Sequence, residues 1–343
     1  MHISKSILEW FRANGRELPW RGTHDPYAIW LSEVILQQTR VQQGWHYWEQ
    51  FMQRWPTVEA LAQATEDEVL RQWQGLGYYS RARNLHKAAL QIVALGGFPR
   101  TYEGLRSLCG VGDYTAAAIA SMAFGLPVAV VDGNVYRVLA RHYGIATPIN
   151  TAEGKKEFAQ LAQALLPVGE AASYNQAIMD FGALQCTPQS PRCLDCPLQE
   201  SCVALREGRV GQLPVKLKKL KIRQRHLIYI YVRHQGQTAL RRRGPGDIWQ
   251  GLWEPLVIEN SELRIENSPC AANSPFSILN FQLIRQSVRH VLTHQVLLCD
   301  FYLWQPEERP TLPEGYVWVD ESEIDRYALP RLIEKMLPSL LVR

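Results

Sequence analysis

Residues 184–202 read LQCTPQSPRCLDCPLQESC, and four of them are thiols: Cys186, Cys193, Cys196 and Cys202. The spacing is C-x6-C-x2-C-x5-C, four potential thiolates within 17 residues. That set can surround one metal centre, and thiolates suit iron–sulfur clusters or zinc. The paired C-x2-C…C-x2-C of a zinc ribbon is absent. Structural zinc and disulfides stay as alternatives at this point. The chain has seven cysteines in all, an odd number, and Cys109, Cys270 and Cys299 are scattered in apolar surroundings. This suits a reducing cytoplasm better than a secreted disulfide framework.

A length of 343 residues fits two domains, and an apolar fraction of 46% is ample for real cores. No run of 18 apolar residues exists, so no membrane span is expected. The N-terminal MHISKSILEWFRANGRELPW reads as an amphipathic helix and a loop rather than a signal peptide. Net charge is only +4, but it is unevenly spread. Residues 1–205 carry 17 Lys/Arg against 18 Asp/Glu, residues 206–243 carry 12 against 1, and residues 244–343 carry 8 against 14. A basic belt between two near-neutral or acidic bodies points to a polyanion partner, or to a solvated linker.

The first two thirds read as helices. Asp25-Pro26 is an N-cap followed by Pro at the first helical position, ahead of an amphipathic YAIWLSEVILQQT. Thr65 and Glu68 form a capping box, and Gly75 with Gly77 end that helix. Helical patterns also cover about 80–95, 114–124, 133–142 and 153–166. The segment GQLPVKLKKLKIRQRH (211–226) reads as linker. Beyond it HLIYIYVRH alternates, with Ile228 and Ile230 on one side, and QSVRHVLTHQVLLCDFYLW and YVWVD read as strands. A short helix is expected near 330–337. The expected domains are 1–205, all-α; 206–226, a basic linker; and 227–343, α+β.

Three local patterns carry chemistry. In LRSLCGVGDYTAAAIASMAF (105–124), Gly110 and Gly112 sit between two helical patterns, where free N–H groups and a helix dipole favour a phosphate. A plain helix-connecting turn would use the same glycines. In WLSEVILQQT, Glu33 is a carboxylate among apolar neighbours that needs either solvent or a task. In VVDGNVYRVLAR, Asp132 lies 18 residues after Tyr114 and is also a natural N-cap.

Together these patterns resemble the endonuclease III superfamily of helix–hairpin–helix DNA glycosylases, and within it the MutY type. The resemblance covers L-x-G-V-G-x-x-T-A, the W-L-S-E-V-x-L-Q-Q-T string, the Tyr114-to-Asp132 spacing and the cysteine loop. It implies a [4Fe–4S] cluster on Cys186, Cys193, Cys196 and Cys202, and adenine removal from double-stranded DNA opposite 8-oxoguanine or guanine. It makes Glu33 the acid that protonates N7 of adenine and Asp132 the stabiliser of the cationic sugar, ionised near the hairpin N–H groups. Asn134 supports Asp132 or the attacking water. Arg16, Trp20, Arg21, Leu36 and Gln38 line the base pocket, Tyr78 wedges into the base stack, and Gln176 contacts the base where some relatives carry Glu. Arg192 and Arg206 would give the cluster loop a DNA-facing charge. Bifunctional relatives carry a lysine at position 114. Tyr114, a phenol of pKa about 10, forms no Schiff base, so a monofunctional enzyme is expected.

RRRGPGDIWQGLWEPL (241–256) resembles the Nudix-like C-terminal domain of the same family. The G-x5-E-x7-R-E-x-x-E-E string that holds magnesium in active Nudix hydrolases is missing from 227–343, and 258–277 reads as polar loop. The domain should bind rather than hydrolyse. Thr293 and His294 match the polar pair that the family uses against 8-oxoguanine, with Leu292 replacing Phe. A monomer in the bacterial cytoplasm, associated with the nucleoid, is expected. The rivals are an endonuclease III-type pyrimidine glycosylase/lyase and a non-catalytic DNA-binding protein.

Overall fold

The computed structural model describes residues 3–217, 222–259 and 281–341. Cys270 and most of the stretch read as polar loop lie outside the described residues. Two compact units emerge, one of residues 1–63 and 84–218, the other of residues 64–83 and 219–343.

Helices in chain order are α1 (Ile3–Asn14), α2 (Pro26–Leu36), α3 (Val41–Arg54), α4 (Val58–Gln63), α5 (Glu66–Gln72), α6 (Ser80–Ala94) and α7 (Tyr102–Arg106). They continue as α8 (Asp113–Phe124), α9 (Gly133–Tyr143), α10 (Ala152–Ala164), α11 (Ala171–Asp180), α12 (Val203–Arg206) and α13 (Arg331–Leu341). In the first unit α2 begins where expected: the Asp25 carboxylate accepts from Tyr27 N (3.0 Å) and Ala28 N (3.3 Å), with Pro26 at the first position. The helix is not amphipathic, however. Tyr27 through Ile35 are all buried, because α2 is enclosed by its neighbours, among them α3 and α8. The small side chains Ala116, Ala117, Ala118 and Ala120 of α8 permit that close approach. Asn175 of α11 ties the far end of α8 down, donating to Ser121 Oγ (2.9 Å) and Val128 O (2.8 Å) and accepting from Val130 N (3.1 Å). Its buried amide is thereby satisfied.

Helix α11 runs into a π-helical turn, Phe181–Gln185, which delivers the chain to Cys186. Such turns are rare and collect at functional sites. Gly182 sits in it because a Cβ there would meet Asn134 Cβ at 2.6 Å.

The second unit holds a sheet built on β1 (Arg223–His234), which starts inside the stretch read as linker. Strand β2 (Gln237–Arg242) follows through a two-residue turn whose Gln235 and Gly236 have φ of 50° and 77°, the twist that hairpins favour. Strands β3 (Trp253–Glu254), β4 (Leu256–Glu259), β5 (Gln282–Val291), β6 (Gln295–Trp304) and β7 (Tyr316–Asp320) complete it. β1 pairs in parallel with β6 and antiparallel with β4, while β2 carries β3 and β7. Ile228 and Ile230 do share one side of β1, with Val232. The other side, Leu227, Tyr229 and Tyr231, is buried too, under Leu332, Ile333 and Met336 of α13. Residues 64–83 join this unit through Arg242, which pairs with Glu66 (2.9 Å) and Asp67 (2.7 Å). The Thr65–Glu68 capping box forms as expected. No helix among the described residues is long and apolar enough to cross a membrane.

Candidate active site and cluster loop

Three elements of the first unit bring side chains to one cavity of about 530 Å³: Glu33 from α2, Tyr114 from the first turn of α8 and Asp132 from the start of α9. Glu33 is 8% exposed. Burial raises its pKa to about 7, the Asp132 charge adds to this, and Tyr114 and Arg21 oppose it. Tyr114 donates its hydroxyl to Glu33 Oε2 at 2.6 Å and to Met179 Sδ at 3.3 Å. Burial and Glu33 hold the phenol well above its ordinary pKa, so it stays protonated.

Asp132 caps α9. It accepts from Asn134 N and Val135 N, both at 2.8 Å on Oδ1, and from Asn134 Nδ2 at 2.8 Å on Oδ2. Burial raises its pKa, and these donors and Arg137 oppose the rise. Its N–H partners therefore belong to α9 itself, as an N-cap requires. The cap and the cavity position coexist.

Leu36, Gln38, Trp20 and Gln176 also line the cavity. Trp20 is 6% exposed and braced by Trp48 and Trp45, at ring distances of 5.5 and 6.1 Å. Arg16 and Arg21 line it as well, but their charged ends converge on Asp180. Arg16 donates to Asp180 from N and Nε, both at 2.9 Å, and Arg21 through two contacts of 2.7 and 2.8 Å. Burial alone would raise the Asp180 carboxyl, but the bonds from Arg21 and Arg16 prevail and hold its pKa at about 2. Sequence reasoning missed Asp180. Its only local signal is an acid inside the apolar run AIMDFGAL.

Arg137 was also missed. It is 8% exposed and donates to Cys186 O (2.7 Å), Gly182 O (2.6 Å) and Asn134 Oδ1 (2.8 Å). One guanidinium thus joins the cysteine loop, the π turn and the amide that holds Asp132.

At the hairpin, Gly110 has φ of 74°, and a Cβ there would meet Asn84 Cβ at 2.6 Å, so both its backbone and its space demand glycine. Gly112 is the N-cap of α8, and nothing lies within 4 Å of where its Cβ would be. That side is open to a close-approaching ligand.

Tyr78, Thr293 and His294 are outside this cavity, in the second unit. Tyr78 is 48% exposed, with φ of 47°, and its hydroxyl lies 2.8 Å from Thr293 Oγ1. His294 is exposed beside it, in the loop between β5 and β6.

Cys186, Cys193, Cys196 and Cys202 ring a separate space of about 30 Å³, closed by Leu205, Val210 and Arg141. All four are free thiols, so no disulfide competes for them. Arg141 donates to Cys186 Sγ (3.4 Å) and to the carbonyls of Thr187 (2.7 Å) and Pro188 (3.1 Å). Among the described residues no three His, Cys, Asp or Glu side chains close on one metal ion. A [4Fe–4S] cluster, which spreads its ligands over its own corners, suits this ring better than mononuclear zinc. Arg192, near the ring, is exposed and pairs with Asp195 at 3.7 Å.

A family model for the HhH-GPD superfamily of base excision DNA repair proteins matches residues 31–167. Models for the NUDIX domain and for the iron–sulfur binding domain of endonuclease III match residues 228–339 and 186–202. An adenine DNA glycosylase of Buchnera aphidicola subsp. Schizaphis graminum is 31% identical over 346 residues, 98% of this chain and 97% of its own. The human adenine DNA glycosylase is 44% identical over 219 residues, 61% of this chain and 40% of that protein. Among solved structures, a thermostable thymine-DNA glycosylase aligns with a TM-score of 0.56 at 30% identity, covering 60% of this chain and 95% of that one. The helical unit, the four-cysteine loop and the NUDIX-type domain are thus matched together, almost end to end, by one kind of relative, and the chain belongs to the adenine DNA glycosylases.

Proposed function

We propose that this enzyme hydrolyses the N-glycosidic bond of adenine paired with 8-oxoguanine or guanine and leaves the strand uncut. Glu33 carries the proton. Its pKa of about 7 keeps a large share of the acid form near neutrality, and Tyr114, bonded to Oε2, leaves Oε1 free to serve N7 of the base. Asp132 carries the negative charge and stabilises the oxocarbenium-like sugar, directly or through a covalent ester, before water completes hydrolysis. Asn134 and Arg137 hold Asp132 in register. The observation that carries this reading is the 2.6 Å bond from Tyr114 to Glu33, since a lyase would need an amine where this chain has a protonated phenol.

The apolar walls from Trp20 and Leu36 suit a planar base, and the amides of Gln38 and Gln176 suit its polar edges. Gly110 and Gly112 open a path for a backbone phosphate to the N-terminus of α8. The cysteine ring supports a basic DNA-facing loop through the [4Fe–4S] cluster it would hold. In the second unit the Tyr78–Thr293 pair, with His294, is the candidate reader of the opposing 8-oxoguanine, with Tyr78 exchanging its bond to Thr293 for a place in the base stack. The domain limits that suit this reading are 1–205, 206–226 and 227–343. One chain contains every group named, so a monomer suffices.

The test is single-turnover cleavage of a duplex with one A:8-oxoG pair, followed by alkali, for wild type and Asp132→Asn, with a T:8-oxoG control. Adenine loss that needs Asp132, with strand breaks only after alkali, supports the reading. Breaks without alkali, or release from the control, refute it.

A further inference from the structure

The cavity that holds Glu33 has a neighbour. A second, more open cavity of about 570 Å³ lies between α1, the start of α11 and the loop from Gly15 to Gly22. Four residues line both: Arg16, Leu18, Arg21 and Gln176. Two of them are fixed, because the Arg16 and Arg21 guanidinium groups are clamped on Asp180. The other two are not. Leu18 and Gln176 are half-buried, and the Gln176 side chain has no hydrogen-bond partner among the described residues. The partition therefore has a rigid frame and two side chains that rotamer changes can move.

Geometry gives the second cavity a task. A base that enters the first cavity by flipping remains attached to its sugar, so the DNA backbone fills the entrance. Once the glycosidic bond breaks, the free base lies beneath the abasic strand. It leaves by the way it came only after the DNA departs. A side opening removes that dependence, and product release commonly limits turnover.

We propose that the second cavity is the exit for the cleaved base, with Leu18 and Gln176 as its gate. This rests on the glycosylase reading above. The ligand is a neutral, planar purine. Leu8 and Phe11 supply apolar surface for its face, and the Glu170 carboxylate and Ser173 hydroxyl at the rim supply acceptors for an amine or ring N–H. Free adenine meets that description, and the volume lies within the roughly 300–1,000 Å³ range of small-molecule sites.

The experiment separates bond cleavage from base departure. A biotinylated A:8-oxoG duplex carrying tritiated adenine is bound to beads and loaded with excess holoenzyme. Cleavage is scored by quench and alkali. Departure is scored as tritium in the supernatant while enzyme stays on the beads. In wild type, adenine leaves while the DNA is still occupied. In Ser173→Trp, whose indole fills the exit, cleavage stays within about twofold while departure slows about tenfold or more and follows DNA dissociation. Arg12→Trp, which narrows the same cavity from α1, gives the same result if Ser173→Trp fails to fold. Wild type that retains adenine until the DNA leaves overturns the proposal. So does either variant releasing adenine at the wild-type rate. Absence of cleavage in wild type would instead sink the glycosylase reading, which keeps the two failures distinct.

Discussion

Glu33→Gln should abolish cleavage and at the same time stabilise the fold at alkaline pH. A carboxyl whose pKa rises from 4.5 to about 7 on folding binds its proton more tightly in the native state. Native stability is therefore undiminished below the unfolded value and falls as pH climbs from about 4.5 to 7, where the buried group must ionise. At 1.36 kcal/mol per unit the full cost is on the order of 3 kcal/mol. Glutamine keeps the shape and still accepts from the Tyr114 hydroxyl, but never ionises. At pH 8 the variant should melt above wild type by roughly 5–10 °C, and at pH 5 the gap should nearly close. Thermal unfolding of the two holoproteins by circular dichroism, at one scan rate across pH 5–8, reads this directly. Parallel curves over that range would show that Glu33 pays no desolvation cost, and the assignment of Glu33 as the protonated acid would fail with it.

Further outcomes follow from the same geometry. The Tyr114 bond lowers the Glu33 pKa and the Asp132 charge raises it. Tyr114→Phe should then move the alkaline limb of the single-turnover rate up in pH, and Asp132→Asn should move the limb of its residual rate down; shifts in the same direction would contradict the pairing. Arg137→Gln leaves the Cys186 and Gly182 carbonyls and Asn134 without their shared donor. Its cleavage rate should fall about tenfold or more, since misplaced groups near the chemistry cost that much, together with a loss of cluster absorbance per protein. Gly110→Ala forces a Cβ against Asn84 at positive φ, which should cost about 1–3 kcal/mol and weaken binding to damaged and undamaged duplexes alike in a filter assay. Thr293→Val should reduce the preference for A:8-oxoG over A:G by about fivefold, one hydrogen bond's worth, with cleavage of A:G itself unchanged.

What the sequence disclosed were the features whose causes are local. Asp25-Pro26, the Thr65–Glu68 box and the Asp132 cap each satisfy N–H groups two or three residues away, so a short window contains the whole reason. The hairpin glycines were also visible, though not the difference between Gly110, filled by Asn84, and Gly112, left open. What stayed hidden depends on distance along the chain. Asp180 is an unremarkable acid until arginines some 160 positions earlier reach it. Arg137 looks like solvated helix surface until the π turn and Cys186 close over it. α11 was missed although Ala171, Tyr174, Ala177 and Ile178 fall on one face at helical spacing; the polar Asn175 and Asp180, buried with them against neighbours that include α1, α8 and α9, break the apolar pattern within a stretch of only ten residues. The amphipathic reading of α2 erred for the opposite reason: the polar Ser32 and Glu33 within IWLSEV cannot reveal that they are enclosed as well.

That enclosure decides which carboxylate does what. Glu33 and Asp132 share a cavity, and each raises the cost of ionising the other, so the stable arrangement is one proton and one charge. The donors around them break the tie. Glu33 receives one hydrogen bond, from a phenol on another helix. Asp132 receives three, two of them from the first turn of its own helix, where the dipole adds to them, and Arg137 stands behind. These donors favour the charge on Asp132 and the proton on Glu33, the distribution that the proposed mechanism needs. A cap that stability alone would explain as the start of α9 is, in the proposed mechanism, also what holds an anion beside the forming sugar cation. Moving the acid to position 132 and the charge to position 33 would mean giving up the cap, which holds the first turn of the helix that carries Asn134 and Arg137.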